Sequence, residues 1–121
     1  MDIQPTIDAI LELETEALVI TISQDLNSRK GIIDSLDQAM NNAITDLIEN
    51  QEITGKQGEI TLLHTYGGIP PKRLVVVGIG KQDNFNIQTI RRVSVEVARF
   101  LQKRRIGEFT MALPEQQILD F

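Results

Sequence analysis

Ile69-Pro70-Pro71-Lys72-Arg73-Leu74-Val75-Val76-Val77-Gly78-Ile79-Gly80-Lys81 is the stretch on which the fold turns. Each of its two prolines fixes φ and removes a backbone donor, so together they stop whatever precedes them. Two cations follow, then four apolar residues, three of them β-branched, and a turn with two glycines. A short apolar run bounded by turn signals predicts a strand buried on both faces.

Working upstream, Thr54-Gly55-Lys56-Gln57-Gly58-Glu59 is a glycine-punctuated turn that leads into Ile60-Thr61-Leu62-Leu63. The spacing predicts strands over 59–65 and 73–77, joined by the turn-rich Tyr66-Gly67-Gly68-Ile69-Pro70-Pro71. Working downstream, Asn86 caps a helix over 86–105, with Phe85 and Ile90 as a hydrophobic staple. Ile87, Ile90, Val97, Ala98 and Leu101 form its apolar stripe, broadened by Val93 and Val95, and Lys103-Arg104-Arg105 lie in its last turn. Gly107 ends it, and a strand over 109–113 follows.

The first third of the chain adds two strands and a helix. Residues 6–13 alternate apolar with polar, Ile10 excepted, and predict a half-buried strand; 17–22 predict a deeper one, with a tight link at 14–16 between them. Leu36, Ala39, Met40, Ala43, Ile44, Leu47 and Ile48 recur at steps of three and four, which predicts one helix over 34–50. Asp34 or Ser35 would cap it, and Asp37 would sit near its positive end. The order β-β-α-β-β-α-β, with a βαβ unit over 73–113, points to a mixed sheet with helices on its faces.

Composition sets the outer bounds. At 121 residues the chain fits a single domain, with 41% apolar and 24% charged residues. It has no cysteine, so disulfides and thiolate metal sites are excluded. No apolar run approaches the roughly 20 residues that span a bilayer, and Met1-Asp2-Ile3-Gln4-Pro5 has no signal-peptide character. A cytoplasmic protein with no membrane partner is the expectation. The net charge of −5 is unevenly spread: residues 1–60 hold three bases and twelve acids, residues 61–121 nine bases and five acids. That asymmetry predicts either two solvated faces of opposite sign or a polar docking face. An acidic total argues against nucleic-acid binding, despite the basic helix carrying Arg91, Arg92, Arg99 and Lys103-Arg104-Arg105.

The "GKxGE" turn at 55–59 and the "IPxKRxxxVGxGK" strand together resemble the amino-terminal domain of the leucyl (cytosol) aminopeptidases. The resemblance covers roughly residues 15–115 and is strongest at Gly55, Lys56, Gly58, Glu59 and Pro70 through Lys81. It implies a single domain over 1–121 of class α/β, a three-layer α/β/α arrangement with a mixed sheet, similar to the macro domain. It also implies a non-catalytic piece of a hydrolase that removes N-terminal amino acids from peptides. The two divalent metals (Zn or Mn) of such an enzyme would sit in a separate catalytic domain of the same polypeptide, and the parent would be a hexamer. The family's metal-ligand motif does not occur in this sequence, so the resemblance assigns no catalytic, cofactor or metal residue here. The domain itself would serve packing, assembly or substrate access.

Other chemistries find little support in the residues. His64 is the only histidine, and one imidazole without cysteine cannot hold zinc unless carboxylates supply every other ligand. Glu12, Glu14 and Glu16 share one strand face and could meet a hard cation, yet acidic edge residues also discourage aggregation. Gly78-Ile79-Gly80 follows a strand, but position 83 is Asp where a dinucleotide fingerprint needs its third glycine. With Gly67-Gly68 it leaves an alternative reading: a standalone macro-like module binding ADP-ribose or another nucleotide.

Overall fold

The computed structural model describes residues 15–24, 32–81, 86–112 and 118–120. Strand β1 (Ala17–Ile22) is apolar at every position but Thr21, and all six residues are buried. A strand with two buried faces needs neighbours on both edges, and β1 has them. Strand β3 (Arg73–Gly78) lies parallel to it on one side and β4 (Phe109–Ala112) parallel on the other. Strand β2 (Ile60–His64) pairs antiparallel with β3, and β5 (Ile118–Asp120) antiparallel with β4. The sheet therefore runs β2-β3-β1-β4-β5.

The alternation of side chains divides the core into two layers. Leu18, Ile20, Ile22, Leu74 and Val76 face α1 (Ile32–Ala39) and α2 (Ala43–Glu49). Ala17, Val19, Val75, Val77 and Met111 face α3 (Ile87–Gln102), through Val93, Val97 and Leu101. This is the mixed-sheet α/β/α sandwich anticipated from the sequence, with the 73–77 strand buried on both faces as expected.

Several elements depart from expectation, each for a local reason. The helix expected over 34–50 is broken. It begins at Ile32, so Asp34 and Ser35 lie inside its first turn, and Asn41 and Asn42 take left-handed φ values of 56° and 64°. Asparagine tolerates that region better than most residues. Asp37, expected near the helix's positive end, is buried and replaces the missing cap of α2. Its carboxylate accepts from the Thr45 amide at 3.0 Å and from the Thr45 hydroxyl. The apolar stripe survives the break, because Leu36, Met40, Ile44 and Ile48 still enter one cluster.

Asn86 caps α3 as expected, accepting from the amides of Gln88 and Thr89 at 2.9 and 3.1 Å. The buried stripe of α3 is Thr89, Val93, Val97 and Leu101, whereas Ile87 and Val95 are 61% and 49% exposed. The helix ends at Gln102, earlier than expected, and the left-handed stop is Arg105 (φ 61°) rather than Gly107. Arg105 N donates to Gln102 O and Ile106 N to Leu101 O, both at 3.0 Å, which is a Schellman closure. The 73–77 and 109–113 strands are parallel but not adjacent, since β1 separates them. The strand expected over 6–13 and the staple residue Phe85 lie outside the described residues. β1 has no free edge for a hairpin partner.

Candidate functional site

In open α/β sheets, ligand crevices form beyond the carboxyl ends of strands whose connections leave toward opposite faces. Here that point lies between β1, which leads toward α1, and β3, which leads toward α3. The chain's own 54–59 turn sits across it. A Cβ on Gly78 would come within 2.0 Å of Lys56 O, and one on Gly55 (φ 84°) within 2.4 Å of Ser23 O. Only glycine permits so close a backbone crossing at these two positions.

Hydrogen bonds seal the crossing. Gly78 N donates to Glu59 O (2.8 Å), Ile79 N to Ile22 O (3.0 Å) and Gly80 N to Gly55 O (2.9 Å). Gln24 N donates to Gly80 O (2.8 Å) and Gly58 N to Gly78 O (3.1 Å). The Glu59 carboxylate clamps the start of the turn. It accepts from Thr54 N (2.7 Å), the Thr54 hydroxyl (2.6 Å) and Gly55 N (3.1 Å). Burial pushes the Glu59 carboxyl up, but these donors and the charge of Lys56 outweigh it and hold it below its ordinary value. All three amides of the Gly78-Ile79-Gly80 turn are thus committed to protein carbonyls.

The second glycine loop is elsewhere. Gly67 and Gly68 precede β3, whereas Gly78 ends it and Gly80 follows, so the two loops lie at opposite ends of a six-residue strand, about 17–20 Å long. A single ligand of ordinary length cannot be cradled by both. Gly68 packs on the end of α1, where a Cβ would meet Ala39 O at 2.6 Å, and Gly67 stands in open space.

At that amino-terminal end of the sheet an open cavity of about 520 Å³ is lined by Glu16, Pro70, Lys72, Arg73, Arg105 and Glu108, among others. The basic run expected in the last turn of the helix is split there. Arg105 faces this cavity, while Arg104 lies over the Phe100 ring at 3.7 Å. Glu16 accepts from Gly107 N at 3.2 Å, and Glu12 and Glu14 lie outside the described residues. His64 is exposed at the end of β2, tilted against Tyr66 at 5.9 Å between ring centroids. No three His, Asp or Glu residues among those described are grouped to hold a metal ion.

The profile of the "Cytosol aminopeptidase family, N-terminal domain" matches residues 18–120. The chain belongs to this family. It is 33% identical over 99 residues to a probable cytosol aminopeptidase of Alkaliphilus oremlandii (strain OhILAs), covering 82% of this chain and 20% of that protein. Against the probable cytosol aminopeptidase of Geobacter sp. (strain M21) it is 33% identical over 114 residues, 94% of this chain and 23% of that protein. The chain thus spans about a fifth of the curated relatives' length. A mutant tomato leucine aminopeptidase shares the fold with a TM-score of 0.67 at 16% identity, over 84% of this chain and 21% of that one. So does the macrodomain of Mycobacterium tuberculosis DarG, with a TM-score of 0.67 at 20% identity, over 87% of this chain and 72% of that one.

The two segments that carry the family resemblance, 55–59 and 70–81, are the two sides of the sealed crossing. Their spacing was readable because Gly55 and Gly78 must meet. The charged cavity was not readable: its residues come from positions 16, 72–73 and 105–108, which only the sheet order brings together.

Proposed function

We propose that this chain is the non-catalytic amino-terminal domain of a two-metal aminopeptidase of the cytoplasm. The parent enzyme removes N-terminal amino acids from peptides, and this domain serves packing, assembly or substrate access. The observation that carries the reading is the family match over 18–120 to relatives about five times as long. In the parent, two divalent ions (Zn or Mn) held by the catalytic domain would activate a bridging water. The described residues of this domain do not fit such a pair. Their one imidazole is exposed, and the Asp37 and Glu59 carboxylates are engaged in closing α2 and the 54–59 turn. The same reading places the catalytic domain of the same polypeptide as partner, within a homohexamer.

A second reading, a standalone macro-like module for ADP-ribose, rests on the likeness to the DarG macrodomain. The committed amides at 78–80 weigh against it, because a diphosphate needs free backbone donors. The accessory reading is tested by offering the purified chain a leucyl amide with Zn²⁺ or Mn²⁺. No hydrolysis is expected; metal-dependent turnover abolished by a chelator would contradict it.

A further inference from the structure

Strand β2 forms one edge of the sheet, and no described residue pairs with its outer side. Its backbone bonding to β3 is fixed by the flanking pairs: Gly78 N donates to Glu59 O and Thr65 N to Lys72 O. Antiparallel partners alternate between bonded and non-bonded pairs. Thr61 and Leu63 therefore bond β3, and Ile60, Leu62 and His64 turn their N–H and C=O groups outward. The strand carries no charged residue, proline or bulge to blunt that edge.

Cavities flank this edge on both faces. On the α1–α2 side a cavity of about 310 Å³ is lined by Ala39, Met40, Ala43 and Leu63, together with the polar Asn41, His64 and Thr65. On the α3 side one of about 500 Å³ is lined by Ile60 and Phe100 together with Arg99, Lys103 and Arg104, against the single carboxylate of Glu96. Arg104 is fixed along that second wall, over the Phe100 ring and donating to Phe100 O at 3.1 Å. A strand laid on β2 would send alternate side chains into the two cavities.

We propose that β2 is a docking edge for an extended segment of a partner polypeptide whose side chains alternate apolar with acidic. The apolar set fills the α1–α2 cavity, the acidic set meets Arg99, Lys103 and Arg104, and the outward groups of Ile60, Leu62 and His64 supply main-chain hydrogen bonds. A second copy of this chain fits less well. Antiparallel pairing of two β2 edges in one continuous sheet puts both α3 helices on the same face, so the two sets of cations would face each other.

The probe is an N-acetylated peptide alternating valine with glutamate, and its lysine counterpart, added to the 121-residue chain. Amide hydrogen exchange is read residue by residue. In the free chain the amides of Ile60, Leu62 and His64 should exchange rapidly while those of Thr61 and Leu63 are protected. The glutamate peptide should slow the first three by at least about tenfold, and the lysine peptide should not. Leu62→Pro removes an outward donor without breaking a bond to β3, and the double variant Arg99→Glu, Lys103→Glu reverses the wall charge. Each should weaken peptide binding at least about tenfold, with Thr61 and Leu63 still protected in the folded variant. Protection of all five amides without peptide would overturn the proposal, because the edge would already be covered. So would protection that grows with protein concentration alone, equal binding of both peptides, or no binding of either.

Discussion

Gly78 has room for a hydrogen and nothing larger. A methyl group there would press on backbone oxygen and carbon of Lys56 and Gly55, which cannot swing aside as a flexible side chain would. Gly78→Ala should therefore cost about 3 kcal/mol or more, or prevent folding, whereas Gly67→Ala should cost only about 1 kcal/mol. Gly67 has left-handed φ but no neighbour within 4 Å. Urea denaturation of the two variants compares them directly, and equal losses would show that the crossing is looser than described. Glu59, on the same crossing, makes a pH prediction. Its folded carboxyl is held below its ordinary value, so the unfolded chain binds its proton more tightly. The clamp then contributes stability above the ordinary glutamate range and loses it as pH falls through the folded value. Glu59→Gln should lower stability at neutral pH and shrink the gap to wild type in acid. A gap that is constant between pH 7 and pH 3 would contradict the clamp.

At the scale of elements, periodicity revealed which faces are buried but not where the chain bends. Leu36, Met40, Ile44 and Ile48 were legible as one stripe, and they do pack as one. The interruption was hidden because it depends on a side chain: buried Asp37 reaches Thr45 and starts a second helix. Asp37→Ala should cost about 1–2 kcal/mol, typical of a lost cap with a buried partner. Ile44→Ala should cost about 2–5 kcal/mol, because Ile44 is 1% exposed, and Leu47→Ala less, because Leu47 is only half-buried. Thermal unfolding of the three variants ranks them, and a ranking with Leu47→Ala as the most costly would place the wrong face inward. The end of α3 carries a similar lesson. Gly107 looked like the stop, yet Arg105 takes the left-handed residue, since Ile106 must return to Leu101.

At the scale of the molecule, hydrophobic patterning made the layers and the sheet's buried centre legible, and the structure supplied the strand order. Nothing local says that β1 lies between β3 and β4, or that a three-residue β5 lies outermost on the far side among the described residues. That order separates the Gly67–Gly68 and Gly78–Gly80 loops, which looked in sequence like two halves of one phosphate cradle. It also brings the 55–59 turn and the 78–80 turn into direct backbone contact. In this macro-like fold the 54–59 turn lies across the carboxyl ends of β1 and β3, and the amides of 78–80 are all bonded to protein carbonyls, which leaves none of them for a diphosphate. Calorimetric titration of ADP-ribose into the chain tests it most directly. The account predicts no heat beyond dilution; saturable binding in the micromolar range would contradict it.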